Sequence, residues 1–282
     1  MTRCGTVALA GRPNAGKSTL LNALVGQHLA IVSPRPQSTR VPVTGVLSRE
    51  DTQYVLVDCP GLLEPRYRLQ EAMRAAALQA AADADVIAYL HPLPDYPAPP
   101  FAQAAGLERP PRPPVVTVYT KADLVPPAAR PPAARPAVSA VTGEGLDGLL
   151  ALLREFLPEG PFLYDPEDLA TQPLRFFAAE FVREAAFELF RDELPYSIAC
   201  EVDEFRETST PVYIRAIVYV EREGQKGIVI GQGGRSIKAL GTAARAKIET
   251  LLGRPVYLEL HVKVLPRWRR HDPSLKRLGY AR

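Results

Sequence analysis

The sequence predicts an α/β domain with a mostly parallel sheet and flanking helices, followed by a smaller α+β domain. Three observations support this order. A glycine-rich turn at residues 11–18 separates an apolar, strand-like run from helix-forming residues. Strand-like runs then alternate with helical stretches up to about residue 157, which is typical of a parallel sheet with ligand loops at its carboxyl edge. Beyond residue 170 the pattern becomes helix, two strands, two helices and a strand.

Length and composition set the domain organisation. A chain of 282 residues is expected to form about two domains, and 46% hydrophobic residues are enough to build their cores. Prolines cluster in residues 158–170, so we predict one domain over 1–160, a linker over 161–170 and a second domain with a basic tail over 171–282. The net charge of +3 is small, and a nucleic-acid partner would need local basic patches.

The cysteines and the chain start indicate a cytoplasmic protein. Three widely separated cysteines form no C-x-x-C pair, which favours a reducing compartment and no structural zinc. The chain starts almost directly on a strand-like run, which leaves no room for a signal peptide. No apolar run approaches the ~18 residues that a membrane span requires.

The glycine-rich turn has the pattern G-x-x-x-x-G-K-[ST]. The strand-like run 6–10 precedes it and the helical run 18–24 follows it, so its backbone N–H groups should converge on a phosphate. The alternative is a turn without a ligand, which would have no use for both Lys17 and Ser18. The predicted phosphate contacts are Gly11, Arg12, Pro13, Asn14, Ala15, Gly16, Lys17, Ser18 and Thr19.

Further polar residues follow strand-like runs downstream. Asp58 ends the run 53–58, and Gly61 lies three residues later. Such an aspartate can hold a metal-bound water, and the Gly61 N–H can reach a terminal phosphate. Two more buried-strand runs lie at 86–90 and 115–119, and the second leads into Thr120-Lys-Ala-Asp123.

These segments together resemble the five motifs of translation-factor-type P-loop GTPases. The resemblance implies that Lys17 pairs with the β- and γ-phosphates, that Ser18 and Thr39 ligate Mg²⁺, and that Asp58 holds the ion through water. It assigns Lys17, Thr39 and Gly61 to support of catalysis. The guanine base would be read by Thr120, Lys121, Asp123, Ser139, Ala140 and Val141.

Four positions bear on base specificity and on the rate of hydrolysis. Asp123 would accept hydrogen bonds from guanine N1–H and the exocyclic amine, which favours GTP over ATP. Thr120 stands where the family has Asn, so we expect guanine specificity with looser binding. Leu62 follows Gly61 where many GTPases have a water-orienting Gln, so we expect slow intrinsic hydrolysis. Asn14 either resembles the Asn that places a potassium ion in some relatives or only stabilises the loop turn.

Two kinds of flexible or irregular segment are expected in this first domain. Residues 30–42 and 58–70 should be the switch segments, ordered by γ-phosphate and Mg²⁺. Residues 91–136 are rich in Pro and Ala, with one weak helical segment at 101–107. We expect short helices, long loops and a less rigid guanine pocket on that side.

The second half contains a G-x-x-G loop, Gly231–Gly234, between two predicted helices. This arrangement resembles a type II KH domain, whose loop clamps unpaired nucleotides; the alternative is a helix-turn-helix that the glycines merely cap. The predicted RNA contacts here are Lys226, Ile228, Ile230, Gly231, Gln232, Gly233, Gly234, Arg235 and Lys238.

The chain after residue 262 carries seven basic residues and one acid. Trp268, Arg269 and Arg270 lie together in this tail, and aromatic plus basic side chains suit stacked bases and phosphates. Trp268 could equally pack beneath the sheet of the second domain.

A GTPase domain followed by this KH domain resembles the Era (Era/TrmE-type) family of bacterial GTPases. The resemblance implies a monomeric ribosome-assembly factor of the 30S subunit that binds the 3′ end of 16S rRNA, with nucleotide state controlling capture and release. It also implies peripheral association with the inner membrane. Two alternatives are a nucleotide-gated RNA-binding checkpoint protein with little hydrolysis, and a P-loop ATPase or kinase, against which Asp123 argues.

Overall fold

The computed structural model describes residues 1–281, so Arg282, counted in the basic tail, lies outside them. The chain forms two compact units. The first comprises Met1–Arg66 and Gln70–Thr171, and the second comprises Tyr67–Leu69 and the described chain from Gln172 onward. Among the described residues, no helix is both long enough and apolar enough to cross a membrane.

The first unit is built on a five-stranded sheet in the order β2-β3-β1-β4-β5. The central strand β1 pairs in parallel with β3 and β4, β5 pairs in parallel with β4, and only β2 is antiparallel. The mostly parallel sheet is therefore confirmed. The strands are β1 Arg3–Gly11, β2 Val43–Arg49, β3 Thr52–Asp58, β4 Val86–Pro92 and β5 Val115–Thr120.

Strand β2 was not predicted, and Gly45 explains why. Glycine inside a strand weakens the sequence pattern and commonly marks close backbone approach. A Cβ at Gly45 would lie 2.8 Å from Val25 and 2.9 Å from Leu21 of the first helix. The missing side chain thus lets that helix pack directly on β2.

Four α-helices accompany the sheet in the described part of this unit, and the second was not predicted. Helical structure in the segment 91–136 is limited to the five-residue α3 and three short 3₁₀ turns, Leu93–Asp95, Ala122–Leu124 and Pro127–Ala129, as expected from its prolines, which lack a backbone N–H. The α-helices are α1 Lys17–Val25, α2 Arg68–Asp83, α3 Phe101–Ala105 and α4 Leu146–Arg154.

The segment predicted as a linker lies along the first unit. The buried Gln53 side chain accepts hydrogen bonds from the Leu163 and Tyr164 amides at 2.8 and 3.0 Å, and it donates to the Tyr164 carbonyl at 2.9 Å. Ala170 forms an antiparallel bridge with Gly45. These bonds satisfy backbone groups of a segment that has no regular structure.

The second unit contains the predicted order α-β-β-α-α-β around a three-stranded sheet, β6-β7-β8, with a short helix added after the first helix and another after the last strand. β6 and β7 are antiparallel, whereas β7 and β8 are parallel. Its elements are α5 Leu174–Leu189, α6 Leu194–Ser197, β6 Ala199–Arg206, β7 Val212–Val220, α7 Glu223–Ile230, α8 Arg235–Leu252, β8 Val256–Val264 and α9 Asp272–Arg277.

Trp268 resolves the alternative left open for the tail. Its side chain is fully buried, its indole Nε1 donates to the Ser197 carbonyl at 2.8 Å, and its ring stacks on Tyr280 at 5.5 Å. A ring in this position cannot stack on a nucleotide base without leaving the core. The assignment of Trp268 to RNA binding is therefore wrong, and the residue anchors the tail to its own unit.

Candidate functional site

The phosphate-loop residues lie at the carboxyl edge of the sheet, as predicted. β1 ends at Gly11 and α1 begins at Lys17, with Gly16 as its N-cap at φ +90°. Gly11 has φ +156° and passes so close to the Leu90 carbonyl that a Cβ there would overlap it. The two glycines let the loop turn tightly between the strand and the helix N-terminus, a geometry that suits phosphate binding.

A cavity of about 350 Å³ opens in front of this loop. Its walls come from the phosphate loop, the predicted first switch segment and Gly61. Residues lining it are Pro13, Asn14, Gly16, Lys17, Ser18, Thr19, Ile31, Val32, Ser33, Pro34, Gln37, Ser38, Thr39, Gly61 and Lys121. Six of the nine predicted phosphate contacts thus line one space together with residues of the first switch segment and Gly61, whereas Gly11, Arg12 and Ala15 do not line it.

Three predicted metal ligands converge at the base of the cavity. The Ser18 hydroxyl donates to Asp58 Oδ2 at 2.6 Å, the Thr39 hydroxyl donates to the same oxygen at 3.1 Å, and the two hydroxyl oxygens are 3.0 Å apart. This cluster joins α1, the first switch segment and the end of β3. A cation bound by oxygen atoms of all three segments would need them to lie this close together.

The donor set of this cluster fits Mg²⁺. Asp58 Oδ1 is buried and has no hydrogen-bond partner among the described residues. Mg²⁺ prefers oxygen ligands and is commonly held by one or two carboxylates, water and substrate phosphates. Residues 1–281 contain no group of three or more His, Cys, Asp or Glu that could hold a metal, so a cation here would depend on hydroxyls, one carboxylate, water and phosphate.

Lys17 and Asp58 are buried, and a bound nucleotide would reduce the desolvation cost of their charges. Burial lowers the pKa of Lys17, an effect that nearby Asp58 opposes. Burial raises the pKa of Asp58, while Lys17 and the two hydroxyl donors oppose it. Each shift shows that desolvation disfavours the charged form. A phosphate beside Lys17 and a cation beside Asp58 would stabilise both charges.

The neighbouring Cys59 takes no part in this chemistry. Burial raises the pKa of its thiol to about 12, so the thiol stays protonated near neutral pH. Its side chain belongs to the hydrophobic core between the sheet and α2.

Gly61 and Leu62 have different surroundings. A Cβ on Gly61 would lie 2.9 Å from the backbone nitrogen of Pro13, so only glycine fits beside the phosphate loop. The Leu62 amide donates to the Gly11 carbonyl at 2.9 Å, and its side chain is buried in the core. Leu62 therefore anchors the second switch segment and presents no side chain to the cavity.

Side-chain amides connect the phosphate loop and both switch segments. Asn14 Nδ2 donates to the Pro34 carbonyl at 2.9 Å. Gln70 Nε2 donates to Gln37 Oε1 at 3.0 Å, and Gln70 Oε1 accepts from the Arg66 amide at 2.8 Å. Gln37 and Gln70 lie 33 residues apart, and their pairing was not predicted from the sequence.

A second cavity of about 240 Å³ adjoins the first at the predicted base-binding motifs. Its rim is open to solvent, since Asp123, Leu124 and Val141 are all exposed. The lining residues are Gly16, Thr19, Leu20, Thr120, Lys121, Asp123, Leu124, Val138, Ala140 and Val141. Ser139 lines neither cavity; it is buried, and its hydroxyl donates to Asp123 Oδ1 at 2.6 Å.

Thr120 keeps one of the two functions expected of an asparagine. Its hydroxyl donates to the Ala15 carbonyl at 2.7 Å and is buried. The single hydroxyl proton therefore braces the phosphate loop, and no second side-chain donor is left for a base. The smaller hydrogen-bonding capacity of threonine is evident from the sequence, but the partner that Thr120 keeps is seen only in the structure.

The G-x-x-G loop of the second unit lies between α7 and α8, as predicted. Gly231 has φ +72°, and a Cβ there would overlap the Ser236 side chain. Gly233 and Gly234 also have positive φ, but no atoms crowd their Cβ positions. Ile228 is 58% exposed beside the loop, whereas Val229 is buried in the core. An exposed apolar side chain next to an open glycine backbone is a suitable surface for a base and its phosphate.

The basic residues predicted to contact RNA fall into two groups. Arg235 bonds Gln232 Oε1 at 2.6 Å within the loop, Lys226 lies 4.0 Å from Glu223, and Lys238 and Arg270 are exposed. Arg269, by contrast, pairs with Glu221 at 2.5 Å in a largely buried position. Arg269 thus makes an ion pair within its own unit, and its predicted contact with RNA stays a prediction.

The fold and the two cavities define a phosphate-loop nucleotide-binding protein of the GTPase class that carries a KH domain. The sequence profile described as "50S ribosome-binding GTPase" matches residues 6–121, and the profile described as "KH domain" matches residues 193–269. The GTPase Era of Streptomyces coelicolor is 42% identical, with 99% of this chain and 95% of that protein covered. The GTPase Era of Mycolicibacterium smegmatis is 42% identical, with 99% of both chains covered. The chain belongs to the Era family of GTPases.

Two solved structures of Era resemble the whole chain. One is an Aquifex aeolicus Era variant bound to GDP·AlF4⁻, with 36% identity, a TM-score of 0.92 and full coverage of both chains. The other is Era in complex with MgGDPNP and nucleotides 1506–1542 of 16S ribosomal RNA, with 36% identity, a TM-score of 0.93 and full coverage of both chains.

Proposed function

We propose that this GTPase is an assembly factor of the small ribosomal subunit whose KH domain binds the 3′ end of 16S rRNA. GTP or GDP with Mg²⁺ would occupy the first unit, and the nucleotide state would control capture and release of the RNA. The cytoplasm, where ribosomes assemble, is the compartment that this role requires. We assign residues 1–160 to nucleotide binding, 161–170 to a linker and 171–282 to RNA binding.

The observation that carries the proposal is the cluster of Ser18, Thr39 and Asp58. It joins the phosphate loop, the first switch segment and β3 at a single carboxylate oxygen. Bound Mg²⁺ would supply positive charge that neutralises the β- and γ-phosphates. Ser18 and Thr39 would offer hydroxyl oxygens, Asp58 would hold a coordinated water, and Lys17 would pair with the phosphates. Loss of the γ-phosphate would release Thr39 and Gly61, and with them both switch segments.

The base cavity supports guanine as the preferred base. Ser139 fixes one oxygen of the Asp123 carboxylate, and a fixed carboxylate can accept the two N–H donors on one edge of guanine. Adenine lacks that pair of donors. We propose that the Lys121 side chain and the Ala140 and Val141 backbone complete the cavity. Competition titrations should show GTP displacing labelled GDP far better than ATP, and equal displacement by both would remove the assignment.

A checkpoint protein that hardly hydrolyses GTP is the second candidate, and the buried Leu62 favours it. With that side chain in the core, the residue directly after Gly61 cannot orient an attacking water. Phosphate release measured with and without the rRNA 3′ fragment distinguishes the two candidates. Faster release with RNA supports the regulated GTPase, whereas bound nucleotide without release in either condition supports the checkpoint.

Asn14 provides a prediction about monovalent cations. Its amide nitrogen binds the Pro34 carbonyl, which supports a role in joining the phosphate loop to the first switch segment. We propose that its amide oxygen and nearby switch carbonyls place K⁺ beside the phosphates, where it offsets negative charge. Turnover should then be several-fold faster in KCl than in NaCl at equal ionic strength. Equal rates would leave Asn14 with the structural role alone.

The KH surface is assigned to single-stranded RNA. Gly231, Gln232, Gly233 and Gly234 would hold the backbone, Lys226, Arg235, Lys238 and Arg270 would supply positive charge, and Ile228 and Ile230 would contact the bases. Charge and backbone access give affinity that depends on salt, while the bases give sequence preference.

A further inference from the structure

The proline-rich segment of the first unit contains one arginine that binds the loop carrying Asp123. Arg130 follows the short 3₁₀ turn Pro127–Ala129, and its side chain is only 17% exposed. Its Nε donates to the Val125 carbonyl at 2.9 Å, and its Nη2 donates to the Ala122 carbonyl at 2.8 Å. The guanidinium therefore holds both ends of the turn that carries Asp123.

The same guanidinium also holds the neighbouring base loop. Both terminal nitrogens of Arg130 bond the Glu144 carboxylate, and the Nη2–Oε2 distance is 3.1 Å. The Glu144 carbonyl in turn accepts the Ser139 amide at 2.9 Å. A two-pronged contact of this kind fixes direction as well as distance.

The two base loops also meet directly. The Ser139 hydroxyl donates to Asp123 Oδ1, and the Ala122 amide donates to the Val138 carbonyl at 3.1 Å. On the cavity side, the Thr120 side chain bonds only the phosphate loop and joins neither base loop to the other. From the outer side, Arg130 and Glu144 join the two loops.

We propose that Arg130 and Glu144 form a positioning pair for guanine selection, which orients Asp123 and Ser139 without touching the nucleotide. The pair would hold the two base loops rigid from the side that faces away from the cavity. It would thereby replace support that a longer helix and an asparagine at position 120 would otherwise provide. The proposal rests on the proposed function, since it takes the second cavity as the guanine site. It also revises the expectation that the proline-rich side leaves this pocket less rigid.

The test compares GDP with inosine diphosphate, which lacks the exocyclic amine from which Asp123 would accept a hydrogen bond. Binding of each nucleotide to the full chain is measured by titration. The dissociation constant for inosine diphosphate divided by that for GDP reports the contribution of the Asp123 contact. Arg130→Gln should lower this ratio by about threefold to tenfold. Glu144→Gln should lower it in the same direction, and the double variant should be no worse than Arg130→Gln, because one coupled contact is lost.

The matched control is Arg49→Gln. Arg49 also pairs with a carboxylate distant in sequence, Asp147, at 2.7 Å, but it lies at the hairpin between β2 and β3 and should leave the ratio unchanged. Arg130→Lys keeps the charge but cannot span two carbonyls and a carboxylate, so an intermediate ratio is expected. If Arg130→Gln does not fold, Arg130→Lys and Glu144→Gln decide the matter.

Two outcomes distinguish failure of this proposal from failure of the proposed function. Asp123→Asn should abolish the preference for GDP over inosine diphosphate; if it does not, the guanine site itself is misassigned. If Asp123→Asn abolishes the preference but Arg130→Gln and Glu144→Gln keep the wild-type ratio, the positioning pair is refuted. A lower melting temperature with an unchanged ratio also refutes it, because the contact would then stabilise the fold alone.

Discussion

Replacing Lys17 by Ala should reduce GTP and GDP affinity by about 2–5 kcal/mol, roughly 30-fold to several thousand-fold. Lys17 is buried at the base of the larger cavity, and its Nζ donates to the Arg12 carbonyl at 3.0 Å. Its positive charge also lowers the pKa of Asp58, which burial raises. Without Lys17 the phosphates lose their buried counter-charge, and protonation of the proposed Mg²⁺-binding carboxylate becomes easier.

The fold itself should tolerate this change. Burial of the Lys17 ammonium lowers its pKa, which means that the charged group is disfavoured when no nucleotide is bound. The melting temperature of nucleotide-free Lys17→Ala should therefore lie near that of the unaltered chain, while stabilisation by added GDP and Mg²⁺ should disappear. Lys276→Ala, at an exposed position in α9, is the control. A Lys17→Ala protein that GDP still stabilises fully would contradict the phosphate assignment.

Replacing Gly233 by Asp should reduce affinity for the rRNA 3′ fragment by about tenfold or more. Gly233 has φ +60°, and no atom lies within 4 Å of the position that its Cβ would take. Aspartate tolerates this left-handed conformation better than most residues, so the unit should still fold. A negative charge in the loop that would hold the RNA backbone repels phosphate and removes part of the salt-dependent attraction.

Gly233→Asn is the matched control, because Asn imposes the same backbone conformation and nearly the same volume without the charge. We expect at most a few-fold loss for Asn, and the difference between the two variants should shrink as salt is raised. Measurement by fluorescence anisotropy at two salt concentrations is sufficient. Equal affinities of the Asp and Asn variants at low salt would contradict phosphate contact at this loop.

Much of the nucleotide site could be predicted because its chemistry is local in sequence. Gly11, Gly16, Lys17 and Ser18 occupy fixed spacings between a strand and a helix, and only that spacing gives a loop of converging N–H groups. Asp58 and Gly61 were predicted because they follow a strand-like run, and parallel strands end at one edge of the sheet. The G-x-x-G loop was predicted from its place between two helices.

Contacts between distant segments could not be predicted. Arg130 lies in a Pro- and Ala-rich stretch with no periodicity, so nothing in the sequence indicates that it bonds Glu144 and two carbonyls near Asp123. Trp268 among basic residues is compatible with RNA stacking and with burial, and only its burial and its contacts with Ser197 and Tyr280 in the structure distinguish them. Arg269 counts as a basic residue in the sequence, yet Glu221 neutralises it in the structure.

The central claim is that the nucleotide bound at the phosphate loop determines the affinity of the KH domain for RNA. Affinity for the rRNA 3′ fragment should be measured on the full chain with MgGDPNP, with MgGDP and without nucleotide, using Lys17→Ala as the variant that cannot respond. The claim predicts at least about a fivefold difference between the GDPNP and GDP states of the unaltered chain, and no difference for Lys17→Ala. The same RNA affinity in all three states of the unaltered chain would contradict it.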